Sequence, residues 1–164
     1  MTVNVGDNLP EGSLWEFDNS KGVGSPKKLA VPELINGKKI VIFGLPGAFT
    51  PTCSANHLPG YIENAEKILQ KVNEIWCLSV NDAFVMNAWA KQNKVGGKLR
   101  MFADGNANYT EALGLTLDLM ARGMGIRMRR FSMLVDNGII RKLNIEEPGK
   151  FDVSSAEKML ADLE

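Results

Sequence analysis

The chain has 164 residues, a length that suits one domain with a sizeable core and no need of metal or disulfide staples. Nineteen Lys and Arg balance nineteen Asp and Glu, so no global field draws in nucleic acid or an anionic membrane. No apolar run approaches the roughly 18 residues of a membrane span, and two cysteines without a secretory leader suit a reducing compartment better than a disulfide framework. The expectation is one soluble, cytoplasmic domain over residues 1–164; a trimmed organellar form would have the same N-terminus.

Val3 and Val5, then Leu14, Trp15 and Phe17, alternate as short strands around Leu9-Pro-Glu-Gly, which predicts an N-terminal hairpin. Gly22 to Lys28 reads as a polar loop, and Val31-Pro-Glu-Leu-Ile as one helical turn before Asn36-Gly37. From Ile40 the chain is apolar and β-branched, a buried strand that breaks at Pro46-Gly47. Thr50 then suits an N-cap, Pro51 the first helical position and Cys53 the first turn. Leu58, Ile62, Ala65, Leu69 and Val72 step by three or four, the period of a helix with one buried face. Pro59 removes a backbone hydrogen bond and should kink that helix, letting its first turn move separately.

Ile75 to Val80 is a second buried strand, and Asn81-Asp82 caps a helix displaying Val85, Met86, Trp89 and Ala90. Leu99 to Ala103 is a third strand, ended by Asp104-Gly105. Tyr109 to Leu115 and Leu117 to Ala121 read as helical on either side of Gly114. Phe131 to Val135, Asn137-Gly138 and Ile139 to Ile145 predict an antiparallel hairpin with a type I′ turn. Ser154-x-x-Glu157 is a capping box that opens a last helix with Met159, Leu160 and Leu163 on its apolar face. A βαβ unit followed by a hairpin and a closing helix predicts an α/β, thioredoxin-like fold: a central mixed sheet flanked by helices, with an N-terminal β-hairpin extension.

In the first turn of a helix, unpaired backbone N–H groups and the positive end of the dipole favour a thiolate. Free cysteine is also a common buried hydrophobe. Cys53, however, lies among Thr50, Thr52, Ser54 and Asn56 at a strand-to-helix corner, where α/β folds place ligands. Lowering a free thiol from a pKa of about 8.5 to about 6 raises its thiolate fraction at pH 7 only about thirtyfold. Fast thiol chemistry therefore also needs groups that stabilise the transition state. One His and two Cys form no zinc pattern, and no glycine-rich phosphate motif is present, so no metal, nucleotide or other cofactor is expected.

Pro46-x-x-x-Thr50-x-x-Cys53 resembles the peroxidatic-cysteine motif of the peroxiredoxins, and Pro-Gly-Ala-Phe-Thr-Pro-Thr-Cys followed by His57-Leu-Pro-Gly is similar to the type II, peroxiredoxin-5-like subgroup. The likeness continues through Cys77-Leu-Ser-Val-Asn-Asp-Ala-Phe-Val, Ala103-Asp-Gly, Ala112-Leu-Gly-Leu and Arg129-Arg-Phe-Ser-Met-Leu-Val. The resemblance implies a thiol peroxidase of antioxidant defence and redox homeostasis. Cys53 would reduce hydrogen peroxide and small alkyl hydroperoxides, become a sulfenic acid, and be restored by glutathione with glutaredoxin or by thioredoxin. It also implies a homodimer, Thr50 as the hydroxyl that both accepts from and donates to the bound peroxide, and Pro46 as a wall against bulk water. By position alone, Thr50 is equally a helix cap and Pro46 a strand end.

Arg127, Arg129 and Arg130 are the candidate cations. If residues 129–135 are extended, Arg130, Ser132 and Leu134 share one face, opposite Arg129, Phe131, Met133 and Val135. The arginine directly before Phe-Ser-Met matches the family's active-site arginine, so Arg130 is preferred. His57, the only histidine, shares a helical face with Cys53; it packs, tunes the thiol or docks a reductant, and no proton transfer is assigned to it. Cys77 occupies the place of the second cysteine of many type II members and is the possible resolving residue. Yet a helix over about 51–70 descends roughly 28 Å, which should leave Cys77 near the far end of the sheet. A disulfide would then need that helix to unwind, and an external thiol is the competing route.

Two other readings compete: a redox sensor or holdase that uses Cys53 oxidation as a switch, and a structural adaptor with no reactive thiol. Thr50-x-x-Cys53 lacks the vicinal dithiol of a thioredoxin-type reductase.

Overall fold

The computed structural model describes residues 1–20 and 22–164. The N-terminal hairpin is formed by β1 (Ser13–Asp18) and β2 (Ser25–Ala30), one element later than Val3 and Val5 suggested. Residues 1–12 form no strand, only an isolated bridge from Asn8 to Ile139, though Val3 and Leu9 are buried in the core. The stretch read as a polar loop is an edge strand carrying Lys27 and Lys28, charges that guard an open sheet edge. α1 (Val31–Ile35) and β3 (Lys39–Leu45) follow as expected.

Between β3 and β4 (Glu74–Ser79) the chain is helical in pieces: a π-helical segment Cys53–His57, then α2 (Leu58–Glu63) and α3 (Ala65–Leu69), separated at Asn64. α4 (Ala83–Gln92) is capped by Asp82, whose carboxylate accepts from Val85 N–H, and β5 (Arg100–Ala103) returns to the sheet. α5 (Asn108–Leu113) stops at left-handed Gly114. Residues 117–119, read as helical, are a strand. Thr116–Leu119 is β6, followed by a 3₁₀ turn, and it pairs with β7 (Gly125–Met128). Its alternate exposure fits a two-stranded ribbon, and Gly123 and Gly125 supply the positive φ that turns it around.

β8 (Phe131–Asp136) and β9 (Ile139–Ile145) form the expected hairpin, with Asn137 and Gly138 both at positive φ. α6 (Ala156–Asp162) is capped by Ser155, which accepts from Lys158 N–H, and not by Ser154.

The main sheet runs β2-β1-β5-β4-β3-β8-β9, with β3, β4 and β5 parallel at its centre and antiparallel strands on both sides. Alternation along β3 divides the core. Val41, Phe43 and Leu45 face the cluster under α2, α3, α4 and α6, whereas Ile40 and Ile42 face the one under α1 and α5. Each such fully buried aliphatic or aromatic side chain contributes about 1.5–3 kcal/mol. Within β3, position 44 is a glycine because a Cβ there would run into the Phe131 ring and the Met128 sulfur.

Candidate active site

β3 delivers the chain to Pro46, and the following corner is tied down locally. Asn81 Oδ1 accepts from Ala48 N–H at 2.8 Å, and Phe49 takes a positive φ of 65°. Thr50 starts the helix with its carbonyl, which accepts from Ser54 N–H at 2.9 Å. Its side chain does not cap. The hydroxyl donates to the Gly47 carbonyl at 2.7 Å, which leaves the oxygen free to accept from a ligand. The Cys53–His57 segment is a π-turn, with Leu58 N–H donating to the Cys53 carbonyl. It ends two residues before Pro59, which has no N–H to continue a regular ladder.

That turn buries both Cys53 and His57 completely. Arg130, in the junction between β7 and β8, reaches them from the far side of the sequence. Its Nη2 donates to Cys53 Sγ at 3.2 Å and its Nη1 meets His57 Nδ1 at 2.9 Å. His57 Nε2 faces the Ser154 carbonyl at 3.0 Å, so the proton sits on Nε2 and the Nδ1 lone pair accepts from Arg130. Burial first, and then the Arg130 charge, lower the imidazole pKa to about 3 against the opposing pull of the Ser154 carbonyl. His57 is therefore a neutral ring, packed among Phe43, Tyr61 and Phe151 at centroid distances of 5.0, 5.6 and 5.1 Å. Complete burial leaves it no surface on which to dock a reductant.

The other two arginines do structural duty. Arg127 Nη1 donates to the Pro46 carbonyl at 3.1 Å and its Nε to the Met124 carbonyl at 2.9 Å, a contact that Gly47 permits by lacking a Cβ. Arg129 Nη2 donates to the Glu146 carbonyl at 2.9 Å. A cleft of about 450 Å³ lined by Pro46, Thr50, Leu119, Met124, Arg129 and Arg130 opens over this corner.

Cys77 lies in mid-sheet opposite Phe43, in the same buried cluster as Cys53, and not at the far end of the sheet. β4 climbs from Glu74 to Ser79 alongside β3, and Cys77 is already well up that climb. Both cysteines are free; burial, then the neighbouring Cys53, push the Cys77 thiol up.

Two residues that sequence patterns did not assign to the site complete it. Glu146, buried at the end of β9, accepts through Oε2 from Asp152 N–H, Ser154 N–H and Ser154 Oγ at 2.6, 2.8 and 2.7 Å. Burial opposes its ionisation, but these hydrogen bonds outweigh it and lower the carboxyl pKa. Ser154 carried a signal, the apparent capping box, that pointed to a different role. Glu146 carried none.

A family model described as Redoxin matches residues 4–160. Peroxiredoxin-2C of Oryza sativa subsp. japonica is 50% identical over 162 residues, 98% of each chain. Reduced Prx3 from Vibrio vulnificus in complex with H2O2 has a TM-score of 0.93 at 44% identity, covering 99% of this chain and 100% of that one. Peroxiredoxin 5 from Alvinella pompejana has a TM-score of 0.84 at 31% identity, covering 98% and 97%. The chain thus belongs to the redoxin family and, within it, to the peroxiredoxins, thiol peroxidases that act through a peroxidatic cysteine.

Proposed function

We propose that Cys53 is the peroxidatic cysteine and that the chain, working as one unit over residues 1–164, reduces hydrogen peroxide and small alkyl hydroperoxides. The observation that carries this reading is the Arg130 Nη2 to Cys53 Sγ contact of 3.2 Å beneath a cleft edged by Thr50 and Pro46. The Cys53 thiolate attacks one peroxide oxygen. An S–O bond forms as the O–O bond breaks, and the electron pair leaves with the second oxygen, which departs as water or an alcohol after taking a proton. Sulfur is oxidised to sulfenic acid. Thr50 Oγ1, its own proton committed to Gly47, accepts from the peroxide hydroxyl and fixes the attacked oxygen in line. Arg130 balances the negative charge that moves from sulfur to oxygen, and Pro46 screens the sulfur from bulk water.

Re-reduction is assigned to an external thiol, glutathione with glutaredoxin or thioredoxin, in the cytoplasm. A thiol held protonated by burial, as Cys77 is, attacks a sulfenic acid poorly. Direct resolution by Cys77 remains the second route, favoured only by its membership of the same buried cluster. Exposed Phe49, Phe84 and Met120 supply apolar surface for a homodimer.

The test is hydrogen peroxide consumption by wild type, Cys53→Ser and Cys77→Ser with the thioredoxin and glutaredoxin systems supplied separately. Wild type is expected to turn over many times, and Cys53→Ser to fall to background, a loss of at least about 10³-fold. Cys77→Ser should keep most of its activity. Turnover by Cys53→Ser overturns the assignment, and a single stoichiometric oxidation without turnover would support the sensor.

A further inference from the structure

We infer that His57 is the positioning residue that sets the Arg130 guanidinium against the Cys53 sulfur, and that Glu146 anchors it through Ser154. The inference rests on Cys53 being the peroxidatic cysteine. It starts from how Arg130 is held. A guanidinium on a flexible stem presents five N–H donors, and a single contact to sulfur would leave it free to swing. Here Nη1 is committed to His57 Nδ1 and Nη2 to Cys53 Sγ, so the fork is held at both tines. His57 can accept only because its other nitrogen donates to the Ser154 carbonyl. The Tyr61 hydroxyl donates to that same carbonyl at 3.0 Å.

Ser154 is in turn fixed by the Glu146 carboxylate through its N–H and its hydroxyl. Glu146 also holds the other end of the arginine: its backbone N–H donates to the Arg130 carbonyl at 2.9 Å. One residue therefore brackets Arg130, by main chain at one end and through Ser154 and His57 at the other. Phe151, in the loop that Glu146 closes, lies 5.8 Å from the guanidinium carbon and completes the seat. Of Glu146, Ser154, His57 and Arg130, only Arg130 hydrogen-bonds to the sulfur, which makes His57 and Glu146 positioning residues.

The variants are His57→Phe, which keeps the ring packed among Phe43, Tyr61 and Phe151 and removes only the hydrogen bonds, and His57→Asn, whose Oδ1 can stand in for Nδ1. His57→Phe is expected to lower kcat/KM for hydrogen peroxide about 10- to 100-fold, mainly in the oxidation step, and to move the acid edge of the pH–rate profile upward. His57→Asn should recover a substantial part of both. A purely structural role would change the melting temperature and leave the pH profile and the rescue pattern unmoved. Because the chain has one histidine, ¹⁵N-histidine labelling gives a single imidazole to read, independently of whether a variant folds. The expected spectrum is an Nε2-protonated neutral ring at pH 6, with an Nδ1 resonance that shifts in Arg130→Met. An Nδ1-protonated ring, an imidazolium at pH 6, or a His57→Phe enzyme with wild-type kcat/KM and acid edge overturns the inference. Absence of peroxide turnover in wild type itself would strike the functional reading instead, leaving the labelling experiment to decide the contact.

Discussion

Arg130→Met is expected to lower kcat/KM for hydrogen peroxide by roughly 10²- to 10³-fold, with the larger share in the attack on peroxide. Methionine keeps much of the length and apolar bulk of the stem and removes only the charged fork. The lost group donates from a half-buried position to the fully buried Cys53 Sγ at 3.2 Å. A unit charge about 4 Å from another is worth about 4 kcal/mol at an effective dielectric of 20, and single oxyanion-type donors are worth about 2.7–4 kcal/mol in catalysis. The two figures agree on the expected range. Loss of the cation should also displace the acid edge of the pH–rate profile upward. Arg130→Lys keeps the charge but cannot meet Sγ and His57 Nδ1 with one planar fork, so it should recover only part of the rate. Stopped-flow oxidation across pH checks both. A wild-type profile in Arg130→Met would transfer the role to Arg127 or Arg129, although each already donates to a main-chain carbonyl.

The second large effect concerns stability in mild acid. His57 is fully buried and its pKa in the folded protein is about 3, against about 6.5 in the unfolded chain. Between those values the unfolded state binds the proton and the folded state does not. The neutral ring therefore costs nothing above pH 6.5, and stability falls as the pH drops through the window, by about 1.4 kcal/mol per unit. From pH 6.5 to 4.5 the loss should reach roughly 2–3 kcal/mol. Protonation would set a second cation against Arg130 inside the ring of Phe43, Tyr61 and Phe151, with only the Ser154 carbonyl to favour it. Glu74, Glu146 and Asp162, whose folded pKa values are lowered, add their own losses only nearer the ordinary carboxylate range. Urea titrations at half-unit steps separate the two: the slope between pH 6.5 and 4.5 should vanish in His57→Phe, while the steeper fall below it stays. A flat wild-type profile across that window would mean that the ring is charged or solvated.

Much of the site was readable because its signals are local. Apolar β-branched residues from Ile40, a break at Pro46-Gly47 and Thr50-Pro51 ahead of Cys53 specify strand, corner and helix start within a dozen residues. Arg130 was singled out by its match to the family's arginine directly before Phe-Ser-Met; alternation only divided the strand, and Leu134 does lie under the Cys53 face with Phe131, Met133 and Val135 under the other. What escaped depends on contacts distant in sequence. β2 is a lysine-bearing edge with little apolar pattern, and β6 is a short apolar run whose spacing also fits a helix turn. The height of Cys77 depends on how the helical pieces before β4 pack, which no residue count contains. The adjacent serines 154 and 155 offer one capping oxygen between them. Ser155 caps because Ser154 is claimed by a glutamate eight residues away, a pairing that leaves no periodic trace.

The central claim is that one sulfur, Cys53, meets the oxidant, while the other is kept out of reach in the sheet. Treating reduced protein with one equivalent of hydrogen peroxide in the presence of dimedone, followed by peptide mass spectrometry, reads that directly. The account predicts the sulfenate adduct on the peptide carrying Cys53, none on the peptide carrying Cys77, and loss of labelling in Arg130→Met on the same timescale. An adduct on Cys77, or equal labelling with and without the Arg130 guanidinium, would contradict it.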